Sequence, residues 1–167
     1  MMGSAKQTDY MRQGRQDRLI RELDHDPYHS KRKIKGPALC PDCGAVYVRG
    51  RWTWEAAAAD AREHVCPACH RIMDRVPAAF LTLRGEFLDS HKDEIMNLVH
   101  NYEKRERTEH PLKRIMGCEE QADGTVITFT DAHLARGIGE ALHNAYEGEI
   151  DYQYTNEDIM LRVTWTR

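Results

Sequence analysis

From residue 78 to the C-terminus, apolar positions recur with two periods, and each period predicts an element. Ala78–Leu83 reads as an apolar strand. Ile95, Leu98, Val99 and Tyr102 then return at helical spacing between charged neighbours. Ser90-His91-Lys92-Asp93 resembles a capping box at the start of that helix, and His110-Pro111 ends it. Leu112–Cys118 and Thr125–Thr130 predict two strands joined by a turn at Ala122-Asp123-Gly124. Asp131 is a good N-cap for a second helix, whose face is Leu134, Ile138, Leu142 and Ala145 and whose stop is Gly148. Ile150–Tyr154 and Ile159–Trp165 alternate as strands around an Asn156-Glu157-Asp158 turn. The order is βαββαβ plus one final strand, which predicts a ferredoxin-like sandwich with two helices on one face of a sheet. The fold class expected is α+β.

Upstream the regularity stops. Residues 37–77 carry two cysteine pairs, with Ala45 to Trp54 between them reading as a hairpin that turns at Arg49-Gly50. Glu55 to Glu63 contains four consecutive alanines, which predicts a helix on propensity alone. Residues 1–36 have one apolar cluster, Leu19, Ile20 and Leu23, among polar residues and the breakers Asp26-Pro27 and Gly36-Pro37. So little apolar surface does not offset the entropy of ordering a chain, so this segment reads as a flexible arm. The expected division is an arm over 1–36, a ribbon over 37–77 and an α+β domain over 78–167.

Charge sharpens that division. The arm holds nine Lys and Arg against five Asp and Glu, the ribbon five of each, and residues 78–167 ten against seventeen, within a net charge of −3. Basic, neutral and acidic segments imply different partners. Lys31, Arg32, Lys33 and Lys35 place four cations in five positions. Four phosphate contacts would give a salt slope of about −3 to −4. The 167 residues, 41% hydrophobic, exclude collagen-like and wholly disordered classes. No run approaches the length of a membrane span and no secretory leader is visible, so we expect a cytoplasmic chain without a membrane partner. Thiols stay reduced there, which turns the five cysteines into candidate metal ligands.

The strongest motif is Cys40-Pro41-Asp42-Cys43-Gly44 with Cys66-Pro67-Ala68-Cys69-His70. A C-x-x-C turn points two sulfurs to one side, and two such knuckles supply a tetrahedron suited to one structural Zn2+. Gly44 permits the left-handed conformation that closes the first knuckle. With four sulfurs in place no coordination position remains for water or substrate, so we expect no catalysis at the ion. Cys40-x-x-Cys43-Gly44-x-x-Tyr47 also resembles a rubredoxin knuckle, which would hold iron, although the second knuckle ends in His70. His64 and His70 read as polar neighbours of the ligands.

Tyr47, Arg49, Arg51, Trp52 and Trp54 form an aromatic and cationic cluster on the hairpin. Such groups stack on unpaired bases and hold phosphates. The alternative use of a tryptophan is packing, and we expect one of the two buried and the other available. Cys118 reads as a buried free thiol. Gly137-Ile138-Gly139 lies inside a helix and reads as a place of close approach, not a dinucleotide loop.

The ribbon, with Trp52 and Trp54 shortly after its first knuckle, is followed by an α+β domain with an Asp131 to Asp151 helix–strand segment. Over residues 38–155 this resembles the N-terminal region of the large-ribosomal-subunit export adaptor of eukaryotes and its archaeal homologues, a family with more cysteine pairs than the two here. It is also similar to small bacterial zinc-ribbon proteins. The resemblance implies association with the ribosome or RNA, not an activity. The expectation is therefore a non-enzymatic zinc-ribbon protein on structured RNA, ribosome-associated in translation or hibernation. Lys31, Arg32, Lys33, Lys35, Arg49, Arg51, Trp52 and Trp54 would be its contacts, with no catalytic residues and no small-molecule substrate. Alternatives are a protein–protein adaptor or transcription-associated ribbon that binds through the acidic residues 78–167, and a rubredoxin-like redox protein.

Overall fold

A computed structural model describes residues 34–155 and 160–167. Residues 1–33 of the arm and the turn expected at Asn156-Glu157-Asp158 lie outside the described residues.

The first unit is a small four-stranded sheet. Its strands are β1 (Ala38–Leu39), β2 (Val46–Val48), β3 (Arg51–Thr53) and β4 (Arg62–Glu63), in the order β3-β2-β1-β4. Strands β2 and β3 form the expected hairpin, with Tyr47 opposite Trp52. Arg49 and Gly50 both have positive φ, 54° and 81°, which gives the two-residue turn the twist of its strands. The helix expected over Glu55 to Glu63 is absent. Residues 55–60 are exposed, and the segment ends in β4, paired parallel with β1 through Ala38↔Arg62 and Leu39↔Glu63. A single short alanine run with no apolar face to bury gains too little from propensity to nucleate a helix. The helix of this unit is α1 (Pro67–Asp74), which starts at the second knuckle.

The second unit runs β5 (Ala79–Arg84), α2 (Glu86–Glu109), β6 (Ile115–Gln121), β7 (Gly124–Phe129), α3 (Ala132–Tyr146), β8 (Glu149–Thr155) and β9 (Met160–Thr166). The element order is the expected one, and the protein is a mixed α+β chain with two sheets. The strand order is β6-β7-β5-β9-β8. The last strand is therefore inserted: β9 pairs parallel with β5 and antiparallel with β8, which is left at the border. Composition explains the choice. Strand β9 buries Leu161, Val163 and Trp165 on one face, so it is the member of the β8–β9 hairpin that gains most from the centre.

Helix α2 begins before the expected capping box. Phe87 packs against the core and Leu88 is buried, so apolar contact extends the helix back to Glu86. Ser90 Oγ donates to Glu86 O inside the helix instead of capping it, and the chain kinks at His91 (φ −129°, ψ 25°). Asp131 caps α3 as expected, its Oδ1 accepting from Leu134 N at 2.9 Å. Of the face expected on α3, Leu134, Ile138 and Leu142 are buried, and Ala145 is exposed. Cys118 is exposed, not buried. It lies on the border strand β6, whose residues from Gly117 to Gln121 are all exposed.

The two glycines of α3 mark close approach. A Cβ on Gly137 would lie 2.3 Å from the Tyr102 hydroxyl of α2, and one on Gly139 would lie 3.0 Å from both Ile150 Cδ1 and Val163 Cγ1. We expect Gly139→Val to overpack this interface and lower unfolding free energy by about 1–3 kcal/mol, read by urea denaturation.

Candidate metal centre

Each knuckle is built by local backbone chemistry. In the first, Gly44 takes φ +82°, which turns the chain so that Ala45 N donates to Cys43 Sγ at 3.5 Å. Gly44 N also donates to Cys40 O at 3.0 Å, closing the turn. In the second, Cys66 is the N-cap of α1 and Pro67 follows it in the first turn. Cys66 Sγ accepts from Cys69 N at 3.4 Å, the place a serine or aspartate oxygen would take. The knuckles are joined by Cys66 N, which donates to Cys40 Sγ at 3.3 Å.

The outcome is a group of four cysteines, Cys40, Cys43, Cys66 and Cys69, whose sulfurs all lie within 4.8 Å of one another. Cys43 and Cys66 have sulfurs 3.8 Å apart. A disulfide needs about 2.05 Å. Metal–sulfur bonds of about 2.3 Å in a tetrahedron give edges of about 3.8 Å. The donor set therefore fits a single metal ion and not a pair of disulfides. Cys40 and Cys66 are 1% and 0% exposed, so an ion here would be shielded from water.

Arg114 completes the site. Its side chain comes from the connection between α2 and β6, it is buried, and it was not visible as a functional residue in the sequence. Nη1 donates to Cys69 Sγ at 3.3 Å, and Nη2 to Cys66 Sγ at 3.0 Å and Cys43 Sγ at 3.4 Å. Nε donates to Pro111 O at 3.0 Å. A buried guanidinium is stabilised by negative charge beside it, which thiolates at these three sulfurs would supply. Burial works against the Arg114 charge, but the hydrogen bond to Cys69 and the charges of Cys66 and Cys69 outweigh it and raise its pKa. Burial pushes the Cys66 and Cys69 thiols up. Burial also opposes the Cys40 thiolate, but N–H groups of Cys66, Cys43 and Asp42 outweigh it and bring that thiol down to about 7. The one sequence signal for Arg114 was its polar side chain inside Leu112–Cys118, where the strand begins only at Ile115.

The other expected site residues fall in three places. Lys31, Arg32 and Lys33 lie outside the described residues, and Lys35 is exposed. Arg49 and Arg51 are exposed at the hairpin tip, with Arg49 paired to Glu55 at 2.5 Å. Trp52 is half-buried, packs against the cysteine cluster and has the His64 ring 6.2 Å away. Trp54 is 39% exposed, yet its Nε1 donates to Arg107 O at 2.6 Å and the Arg107 guanidinium lies 5.9 Å from its ring. It ties the hairpin to the end of α2. Histidines 64 and 70 are outside the four-sulfur group.

Between the hairpin and the connection after α2 lies a cleft of about 1350 Å³. Tyr47, Trp52, His64, His70, His110 and Lys113 line it, and Ile34 and Gly36 reach it from the arm. No helix among the described residues is long and apolar enough to cross a membrane. No family model, curated protein or solved structure matches the chain.

Purified under reducing conditions, the chain should carry one metal ion, counted by elemental analysis. Cys66→Ser should lose it, because it removes a ligand while leaving an oxygen that still caps α1. A bound ion retained at full stoichiometry in that variant would place it elsewhere.

Proposed function

We propose that the chain is a non-enzymatic zinc-ribbon protein that binds structured RNA, with the ribosome as its most suitable target. The observation that carries this reading is the cleft. Its lining offers the aromatic faces of Tyr47 and Trp52, the imidazoles of His64, His70 and His110, and the cations Arg49, Arg51 and Lys113, alongside the carboxylates Glu55, Glu109 and Asp131. Flat rings beside cations suit an unpaired base and its phosphate. The cationic run of the arm ends at Lys35, between the cleft-lining residues Ile34 and Gly36. A strand of RNA following the arm would therefore be led to the aromatic walls. The acidic residues 78–167 disfavour phosphate and would face protein.

Zinc is the ion best suited to four sulfurs in a closed tetrahedral site, and a site without an open position suits structure, not catalysis. Zinc bound in this way contributes roughly 10–16 kcal/mol of apparent free energy in small domains. We read the second unit as a ferredoxin-like sandwich with its last strand inserted between β5 and β8.

The reading predicts co-sedimentation with ribosomes that weakens with salt, with a log–log slope of about −3 to −4. Arg51→Ala should weaken binding and lower the slope by about 1. Absence of co-sedimentation at low salt would overturn the reading. A nuclease-resistant, salt-resistant complex would do the same and move the function to a protein partner of the acidic domain.

A further inference from the structure

The two knuckles are not equivalent. After Cys43 the chain turns through Gly44, and Ala45 N returns to the Cys43 sulfur. After Cys69 there is no such turn. His70 and the residues following continue α1 to Asp74, so their N–H groups are committed to the helix, beginning with His70 N to Cys66 O at 3.0 Å. The donor that a glycine turn supplies at Cys43 is supplied at Cys69 by Arg114 Nη1, 3.3 Å away. Its other terminal nitrogen reaches the Cys66 and Cys43 sulfurs, so one guanidinium covers the face of the tetrahedron made by three of the four ligands.

That guanidinium belongs to the other unit of the protein. Arg114 N donates to Thr130 Oγ1 at 2.9 Å, and Thr130 N donates to Arg114 O at 2.9 Å. Thr130 Oγ1 donates in turn to Leu112 O at 2.6 Å. Thr130 joins β7 to the cap of α3, so the backbone behind Arg114 is fixed by the core of the α+β unit. Four thiolates around a divalent ion carry a net charge of −2, and Arg114 compensates half of it. Leu112 packs on the cysteine cluster beside it.

We propose that Arg114 is a positioning residue that makes occupation of the four-sulfur site and docking of the ribbon on the α+β unit a single linked equilibrium. The sulfurs that would bind the ion are the ones that hold Arg114, and Arg114 holds the ribbon against the second unit. Docking in return supplies the hydrogen bonds that orient three ligands, and such outer contacts strengthen metal binding. The coupling is reciprocal. The cleft lies between the same two units, so its shape follows the occupation of the sulfur site. The inference rests on the zinc half of the proposed function and is independent of the RNA half.

The experiment uses the full chain and zinc. Competition with a chromophoric chelator should give Arg114→Met a zinc affinity roughly tenfold to a hundredfold below that of the unchanged protein. Arg114→Lys should recover only part of it, because one ammonium does not span three sulfurs. It keeps the charge and carries the comparison if Arg114→Met fails to fold. Hydrogen exchange reads the other direction. Stripping zinc from the unchanged protein should speed exchange at the amides of residues 113 and 130, which belong to the second unit. In the Arg114 variants zinc should have lost most of its effect on those amides. Unchanged zinc affinity in both Arg114 variants would overturn the inference, as would amides that ignore zinc removal in the unchanged protein. A protein that binds no zinc at all would instead overturn the metal reading.

Discussion

Four sulfurs gathered in a dry place beside a buried arginine are the constraint on which the ribbon depends. Four sulfurs lie within 4.8 Å of one another, two of them 1% exposed or less, with a buried arginine against three. As thiols they leave the guanidinium without a counter-charge, and as bare thiolates they repel one another at contact distance. A cation at their centre satisfies both demands. The surrounding N–H groups are aimed accordingly: those of Ala45, Cys66 and Cys69 each end on a sulfur.

The two units are stabilised by different physics. The ribbon's strands are two or three residues long, and its buried cluster is Cys40, Ala45, Cys66, Ala68 and Cys69. Two alanines and three cysteines do not amount to an apolar core, so a metal ion held by the sulfurs would do the work that burial does elsewhere. The second unit has a conventional interior, with Trp165, Phe129, Leu81, Leu83 and Ile95 fully buried between sheet and helices. Among the described residues, the units meet through Arg114 on the sulfurs, Trp54 on Arg107 O and Leu112 on the cysteine cluster.

The cysteine knuckles and the hairpin at Arg49-Gly50 were legible because short-range chemistry decides them: cysteine spacing, a glycine and a two-residue turn. Much of the second unit was legible because its apolar positions recur with a clear period, and the Gly137-Ile138-Gly139 reading held because close packing removes side chains. Where long-range contact decides, the sequence misled. Four alanines promised a helix between Glu55 and Glu63, but nothing apolar lies there for it to cover. Ser90 looked like a cap, yet Phe87 and Leu88 found the core and drew the helix past it. Cys118 looked buried because free thiols are usually buried, but β6 lies on the border. Arg114 was hidden for a related reason: its sulfur partners are 45 and more positions away in the chain, and no local pattern announces them.

The most direct measurement of the central claim is X-ray absorption spectroscopy at the zinc edge on the purified full chain. The account predicts one shell of four sulfurs at about 2.3 Å and no lighter scatterer among the ligands. A shell containing nitrogen or oxygen, or a chain with no zinc to excite, would contradict it.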